Sequence, residues 1–244
     1  METTETDVSH VKPVIDNLPE CLTEEEYHTA VDFIERNADV FSRHEYDVGC
    51  TNLLTARLLT DPSQPPIAEP LRRYPRCQLN QIDEAVDKLE RARIIKKANS
   101  LWAANLVVVQ RKSEHGQRVA PRITVDFRKL NSVTYRDKYP IPHIKDCLQA
   151  LDGAAFLSMA DVSNGFYQVP LREDDHDKTA FTTRRSQYSL TRLAQGCTNS
   201  PAVFCRLMAL VLRGLDCCLA YIDDTIVFSP TFKAHVQDLE GAVA

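Results

Sequence analysis

Residues 219–228 constrain the fold most strongly, because two short apolar runs meet there at the adjacent carboxylates Asp223 and Asp224. The flanks are rich in Ile, Val, Phe and Tyr, which predicts a β-hairpin with both aspartates at its tip. A solvated turn is the alternative interpretation, since aspartate favours turns for conformational reasons alone. Neighbouring carboxylates on a rigid hairpin suit hard divalent cations such as Mg²⁺. A metal site that handles phosphates needs a further carboxylate from another part of the chain.

Asp161 is the candidate for that further carboxylate. It follows an apolar, strand-like run at 154–160 and precedes a turn that contains Gly165. Strand alternation places Leu157, Met159 and Asp161 on one face, although an aspartate here is also typical of a turn or a helix N-cap. If this strand and the hairpin share a sheet, three carboxylates converge. Such a set can hold two divalent ions about 4 Å apart, the arrangement used for in-line phosphoryl displacement.

The net charge of −5 conceals three segments of different sign. Residues 1–71 carry a net charge of −11, residues 72–136 carry +9 and residues 137–244 carry −3. The basic middle segment suits a phosphate-bearing partner, although solvated helix faces would also explain the charges. The first residues are acidic and lack the apolar region of a secretory signal. The eight cysteines show no paired CxxC spacing, so a zinc site is not indicated.

Hydrophobic periodicity and turn residues predict the other elements. Thr23 and Glu26 form a capping box that opens a helix reaching about residue 41, and the proline-rich stretch 42–76 predicts an extended connector. Gly153 and Gly214 are expected to stop helices. The remaining predictions are a helix around 79–89, a strand pair at 106–109 and 122–127, a helix around 144–151 and a buried helix at 202–213.

The order of motifs between residues 101 and 240 resembles that of reverse transcriptases. Tyr221-Ile222-Asp223-Asp224 is similar to the Tyr-x-Asp-Asp box of that family. The acidic leader and proline-rich connector resemble the spacer before the polymerase in gypsy-type LTR retrotransposon Pol polyproteins, which are retrovirus-related. Gypsy-type elements usually have Phe-Gly at the position of Gln195-Gly196, and the pair in this chain is similar to that of retroviruses. The other matching segments are 122–128, Leu130-Asn131, 138–142, 161–168, 178–181 and 195–202.

This resemblance implies which residues form the catalytic and nucleic-acid sites. Tyr221 corresponds to the residue that supports the primer terminus, a role compatible with that of a packed strand aromatic. Asp126 and Arg128 lie where the family contacts the template, and a surface ion pair is the alternative interpretation. The catalytic, metal-binding aspartates of the family correspond to Asp161, Asp223 and Asp224.

The resemblance also implies a nucleotide site. Arg122 corresponds to a fingers residue that clamps the triphosphate, where a bidentate guanidinium suits phosphate geometry. Phe166 corresponds to the aromatic residue beneath the sugar of the incoming nucleotide. A ring there fills the space that a ribose 2′-OH would need and so favours dNTPs over rNTPs. The alternative interpretation is an ordinary core phenylalanine. Gln195 corresponds to a residue beside that sugar. Lys112 or Arg111 could supply the fingers lysine.

The fold implied by the resemblance is α+β, with polymerase fingers and a partial palm over 72–244 and a leader helix and connector over 1–71. The implied activity is RNA-directed DNA polymerisation, in which two Mg²⁺ ions, with Mn²⁺ as a substitute, assist nucleotide transfer from a dNTP to a primer 3′-OH. Expected partners are an RNA or DNA template with its primer, and the rest of a Pol polyprotein, without a membrane. The expected location is intracellular, in the cytoplasm or a virus-like particle, with the nucleus as an alternative. A truncated, non-catalytic nucleic-acid-binding relic is the alternative.

The chain ends 20 residues after Asp224, so we expect the later palm, thumb and RNase H segments of the family to lie outside it. Polymerisation needs the primer 3′-OH aligned with the metals, and such positioning contributes roughly 7–11 kcal/mol. We therefore expect residues 1–244 to bind template–primer in a salt-sensitive manner with little or no processive synthesis. Extension by many nucleotides, lost in Asp223→Asn, would contradict this expectation.

Overall fold

The computed structural model describes residues 8–112, 118–222 and 224–243, and it combines helices with antiparallel sheets. This mixture confirms the predicted α+β class. The α-helices are α1 (Lys12–Ile15), α2 (Glu24–Arg36), α3 (Arg76–Arg91), α4 (Arg128–Ser132), α5 (Ile144–Ala150), α6 (Ser200–Val211) and α7 (Phe232–Val243). The strands are β1 (Ile95–Lys97), β2 (Leu106–Lys112), β3 (Arg118–Val125), β4 (Phe156–Asp161), β5 (Phe181–Thr182), β6 (Gln187–Leu190), β7 (Cys218–Tyr221) and β8 (Asp224–Ser229).

The chain divides into two units, each with its own internal contacts. The first unit takes the described residues of 1–47, 141–163 and 208–244, and the second takes those of 48–140 and 164–207. Each unit is therefore assembled from segments that are distant in sequence. Within the described ranges, no helix has the length and apolar character needed to cross a bilayer.

The first unit is organised around an antiparallel sheet with the strand order β4-β8-β7. Helix α7 packs against β8 and β4, where the rings of Phe156 and Phe232 meet edge-to-face with centroids 5.6 Å apart. Helix α2 also packs against α7. A buried cluster around Val11, Phe33 and Ile34 includes Leu239 and Val243 of α7 at its margin. The leader helix therefore shares a hydrophobic core with the helix that supports the sheet.

The capping box at the start of α2 is present as predicted. The Thr23 hydroxyl accepts a hydrogen bond from the Glu26 backbone N–H at 3.3 Å, and the Glu26 carboxylate accepts one from the Thr23 N–H at 2.9 Å. The helix ends at Arg36, earlier than the predicted residue 41, because Asn37 leaves the helical conformation and a short 3₁₀ turn follows. Gly153 and Gly214 have positive φ values of 79° and 87°, as expected for residues that stop helices.

The second unit contains a three-stranded sheet of order β1-β6-β5 and the β2–β3 hairpin. The rings of Phe181 on β5 and Tyr188 on β6 stack at 5.9 Å, and both side chains are almost completely buried. The hairpin confirms the predicted strand pair. Its register pairs Leu106 with Val125 and shifts at a bulge between Val109 and Arg111.

A buried polar network explains the segment 178–181, which sequence analysis singled out. Asp175 is 5% exposed and accepts hydrogen bonds from the Leu58 backbone N–H at 3.0 Å and from Lys178 Nζ at 2.6 Å. Lys178 Nζ also donates to the Leu58 carbonyl oxygen at 2.6 Å. Thr179 Oγ1 accepts a hydrogen bond from the Leu190 N–H at 2.9 Å. The segment therefore joins the proline-rich connector to β6.

We predict that Asp175→Asn lowers the free energy of unfolding by about 3 kcal/mol, because removing one member of a buried ion pair leaves the other charge uncompensated. Urea denaturation measures this change. Asp174→Asn is the matched control, since its carboxylate is 73% exposed and its ion-pair partner among the described residues is the half-exposed Arg172; its effect should stay below about 0.5 kcal/mol. Equal effects of the two substitutions would contradict the role given to Asp175.

Candidate active site

Asp161 and Asp224 lie directly opposite each other across two antiparallel strands. Asp161 is the last residue of β4, Asp224 is the first residue of β8, and the register pairs them. Asp224 is also paired with Tyr221, the last residue of β7. Residues in direct cross-strand register have Cβ atoms about 5 Å apart. The sheet therefore brings Asp161, Asp224 and Tyr221 into one row at one end.

This row belongs to an open face of the sheet. Met159 and Leu157 alternate with Ser158 along β4, and their side chains are 74% and 57% exposed. Strand alternation places them on the face of Asp161, and both aspartates are themselves exposed. This agrees with the shared face predicted for the three β4 residues. The carboxylates are therefore accessible to a ligand that approaches the sheet.

The tip of the hairpin differs from the sequence prediction. The two aspartates were expected to form the tip together, whereas Asp224 begins β8 and pairs on both sides. Ile222 has a positive φ of 56°, which is strained for a β-branched residue because its Cβ crowds the backbone. Asp223 lies outside the described residues, so its assignment as a metal ligand stays a prediction.

The opposed carboxylates repel each other unless a cation lies between them. Like charges directly opposite on neighbouring strands are destabilising, and neither Asp161 nor Asp224 forms an ion pair or hydrogen bond with another side chain of the described residues. Those residues, which exclude Asp223, contain no group of three His, Cys, Asp or Glu side chains that could hold a metal ion. Two adjacent carboxylates supply hard oxygen donors, which fit Mg²⁺ or Mn²⁺ as a partial ligand set.

Gln195 lies in the second unit, in a turn that Asn131 holds. Asn131 Nδ2 donates to the Gly196 carbonyl oxygen at 2.8 Å, and its Oδ1 accepts from the Thr198 N–H at 2.8 Å. Gly196 has a φ of 89°, and a Cβ there would lie 3.9 Å from the ring of Phe127. The Leu130-Asn131 motif therefore fixes the backbone next to the half-buried Gln195.

Phe166 lies on a short 3₁₀ helix, Gly165–Gln168, in the second unit. Its side chain is 7% exposed, and its ring meets that of Phe204 on α6 edge-to-face at 5.4 Å. Asn164, which precedes this helix, has a positive φ of 46°. The ring is therefore held in a defined position by core packing, and its assignment to the nucleotide sugar stays a prediction.

Arg122 lies on β3, opposite Val109 of β2, and is exposed. Its guanidinium has no ion-pair partner among the described residues, so it is available to an anionic ligand. Lys112 is the last residue of β2 and is paired with Arg118; its side chain is outside the described structure. The assignment of Lys112 or Arg111 as the fingers lysine stays a prediction.

Asp126 and Arg128 form a bidentate ion pair. Arg128 Nε and one terminal nitrogen donate to the two carboxylate oxygens of Asp126 at 2.8 and 2.6 Å. The hydrogen bond from Arg128 lowers the pKa of Asp126, and the nearby charge of Arg72 acts in the same direction while burial opposes it. The Arg128 side chain is 83% exposed. The structure therefore contains the ion pair that was the alternative interpretation of these two residues. A template contact by Arg128 stays a prediction.

A basic cavity in the second unit was not found by sequence analysis. Its volume is about 420 Å³. Arg206 in its wall forms an ion pair with Asp137 at 2.8 Å and lies 4.7 Å from the centroid of the Tyr139 ring. The other cations, none with an ion-pair partner in the described residues, are Arg57, Arg136 and Lys138. Only Arg136 of these four cations belongs to the basic segment 72–136, so no local pattern in the sequence predicts that they cluster.

Comparison with protein families identifies the chain. Residues 109–243 match the family described as reverse transcriptase (RNA-dependent DNA polymerase). The chain belongs to the reverse transcriptase family. The match includes Asp161 and Asp224, the two carboxylates that the sheet places in register. The resemblance inferred from the motif order is confirmed, and the alternative of a non-catalytic relic is not favoured.

The curated relatives include retrovirus-related Pol polyproteins from transposons. The chain is 35% identical to that of transposon opus from Drosophila melanogaster over 184 residues, which cover 75% of this chain and 18% of the relative. It is 30% identical to that of transposon gypsy from the same species over 214 residues, covering 86% of this chain and 20% of the relative. The chain thus spans about a fifth of the length of these relatives. They confirm the predicted link to gypsy-type LTR retrotransposons.

Solved structures confirm the reverse transcriptase fold. A crystal structure of prototype foamy virus protease-reverse transcriptase has a TM-score of 0.84 and 22% identity, covering 96% of this chain and 31% of that one. The foamy viral protease-reverse transcriptase in complex with an RNA/DNA hybrid gives the same TM-score, identity and coverage.

We predict that, without divalent ions, Asp224→Asn raises the free energy of unfolding by about 0.5–1 kcal/mol, because it removes the repulsion between directly opposed carboxylates. Asp161→Asn should do the same, and the double variant should gain no more than either single variant, since one neutralisation removes the repulsion. Asp216→Asn is the control, an exposed carboxylate near β7 without an ion pair in the described residues. Additive effects in chemical denaturation would contradict a direct Asp161–Asp224 interaction.

Proposed function

We propose that this chain carries the metal site of an RNA-directed DNA polymerase, which adds a nucleotide from a dNTP to a primer 3′-OH on an RNA or DNA template. The register of Asp161 opposite Asp224 carries this proposal. Membership of the reverse transcriptase family supports it, as does the foamy viral relative in complex with an RNA/DNA hybrid. Asp223 is the third proposed ligand, next to Asp224 in sequence.

The proposed chemistry divides between metal ions and protein groups. Two Mg²⁺ ions, or Mn²⁺ in their place, would supply positive charge next to the primer hydroxyl and the leaving oxygen. Asp161, Asp223 and Asp224 would hold these ions through carboxylate oxygens. Tyr221, in register with Asp224, is proposed to support the primer terminus. The open face beside Met159 leaves room for a strand that approaches the aspartates.

We propose a nucleotide site formed by residues of the second unit. The exposed Arg122 would contact the triphosphate, with Lys112 as the candidate for a second cation. Phe166 would exclude the ribose 2′-OH, which its packing against Phe204 supports because a steric barrier must be held in place. Gln195 would lie beside the sugar, with its backbone fixed through Asn131.

Template binding is proposed for Arg128, oriented by Asp126, and for the basic cavity. Arg128 keeps most of its surface exposed although it is paired, so its guanidinium can still meet a phosphate. Arg206 is paired with Asp137, whereas Arg57, Arg136 and Lys138 have no ion-pair partner among the described residues, so the cavity keeps an excess of positive charge. Contacts of this kind act through phosphate charge and make binding fall with salt.

The wider setting is also proposed from the relatives. We infer that residues 72–244 act as fingers and partial palm, and that residues 1–71 are the leader that precedes them. The other partners would be the remaining parts of a Pol polyprotein, as in the transposon relatives. The compartment proposed is the cytoplasm, including a virus-like particle.

Single-nucleotide addition tests the proposed function without requiring processive synthesis. Excess protein, a labelled primer on an RNA template, one dNTP and Mg²⁺ should give slow addition of the complementary nucleotide only. Asp161→Asn should abolish the addition, whereas the control Asp216→Asn should retain it. Addition that ignores the template, or that survives in Asp161→Asn, would contradict the proposal.

The assignment of Phe166 is tested by a matched pair of ring deletions. Phe166→Ala and Phe204→Ala each remove one ring of the same buried contact, so both should lower stability by about 3–5 kcal/mol. Only Phe166→Ala should raise incorporation of an rNTP relative to the matching dNTP. The ratio is measured in the single-nucleotide assay, with melting curves to confirm that the variants are folded. Equal ratios in both variants would show that Phe166 serves only core packing.

A further inference from the structure

A buried histidine lies beneath the sheet that carries the aspartates, on the face opposite to them. His235 of α7 is 5% exposed. Its Nε2 lies 2.8 Å from the Ser158 hydroxyl on β4, and its Nδ1 lies 3.1 Å from the Ser229 hydroxyl on β8. One imidazole therefore bridges the two strands whose ends carry Asp161 and Asp224.

The hydrogen-bond partners define which nitrogen carries the proton. The Ser229 hydroxyl donates to Asp238 Oδ2 at 2.6 Å, so its oxygen is left to accept from His235 Nδ1–H. Nε2 is then the acceptor for the Ser158 hydroxyl. The chain runs from Ser158 through His235 and Ser229 to the Asp238 carboxylate, and every hydroxyl and ring nitrogen in it has a partner.

The lowered pKa of His235 and its hydrogen-bond partners favour the neutral form of the imidazole at pH 7. Burial lowers the pKa of His235, and the Asp238 carboxylate on the same helix opposes that effect without reversing it. The Cys217 and Cys218 thiols also interact with Asp238, and the pKa of each is raised mainly by burial. A neutral ring can accept from Ser158 and donate to Ser229 at the same time. This two-sided role is what a bridge between strands requires.

The bridge acts on the strands that carry the opposed charges. Ser158 lies three residues before Asp161, and Ser229 lies five residues after Asp224, along strands that are paired from Phe156↔Ser229 to Asp161↔Asp224. Repulsion between the two carboxylates favours separation of the strand ends. A helix that holds both strands through one side chain opposes this separation from the covered face.

We propose that His235 is a positioning residue that, by bridging β4 and β8, keeps Asp161 opposite Asp224 for divalent-cation binding. This inference rests on the proposed function, since it concerns the same metal site. His235 touches neither substrate nor metal in this role. A histidine that merely fills the core would affect global stability but not the metal affinity of the folded protein.

Mn²⁺ binding to the 244-residue chain tests the bridge, with free Mn²⁺ measured by electron paramagnetic resonance. Ser158→Ala removes one hydroxyl and its hydrogen bond to Nε2, and His235→Phe keeps the ring volume without the polar bridge. Each should weaken Mn²⁺ binding about three- to ten-fold, the equivalent of one net hydrogen bond. The variant with both substitutions should bind Mn²⁺ as well as the weaker-binding of the two single variants, because both substitutions remove the same hydrogen bond between Ser158 and His235.

Ser42→Ala is the matched control, because it also removes one serine hydroxyl with its hydrogen bond, here to the Asp47 carbonyl oxygen at 3.2 Å. Ser42 is exposed and follows α2 in the chain, so the Mn²⁺ affinity of this variant should equal that of the wild type.

Thermal melting confirms that each variant is folded at the assay temperature, and if His235→Phe fails to fold, Ser158→Ala decides alone. Wild-type affinity in folded Ser158→Ala would overturn this inference while leaving the proposed function intact. If the wild-type protein binds no Mn²⁺, or if Asp161→Asn leaves its Mn²⁺ affinity unchanged, the proposed function and the inference are both overturned.

Discussion

The opposition of Asp161 and Asp224 across β4 and β8 is the interaction on which the site depends. Two carboxylates in direct register are unfavourable by themselves, so the surrounding structure must hold them there. The hairpin contributes a strained Ile222 next to the aspartates, and helix α7 covers the other face of the sheet. The unfavourable features, opposed carboxylates and a strained backbone, thus lie where a bound divalent cation would be stabilising. Such a combination is common at functional sites.

Several segments that resemble family motifs act by fixing backbone rather than by offering a reactive group. Asn131 holds the turn next to Gln195, and Lys178 joins the connector to the core through Asp175 and Leu58. Phe166 combines both roles, since its packing against Phe204 determines where its ring can act. The motif residues therefore divide into those proposed to meet ligands and those that hold them in position.

The sequence alone predicted the capped helix α2, the β2–β3 pair and the helices stopped by Gly153 and Gly214, because capping residues, β-branched runs and glycine stops are local signals. It did not predict β1, β5, β6 or α7, and the assignment of the three aspartates as metal ligands stays a prediction. It was insufficient for contacts that depend on tertiary pairing. His235 meets Ser158 across 77 residues, and Asp175 meets Leu58 across 117; neither pair has a local pattern. The end of α2 at Arg36 and the start of β8 at Asp224 also differed from prediction, since element boundaries depend on backbone details that periodicity does not specify.

The central claim is that the opposed carboxylates bind a divalent cation. The most direct test is a crystal of the 244-residue chain soaked in Mn²⁺, with an anomalous difference map calculated at the manganese edge. We predict a peak within coordination distance of both Asp161 and Asp224, about 2–2.5 Å from carboxylate oxygens, and no such peak in Asp161→Asn. Manganese bound at other carboxylates but absent between these two would contradict it.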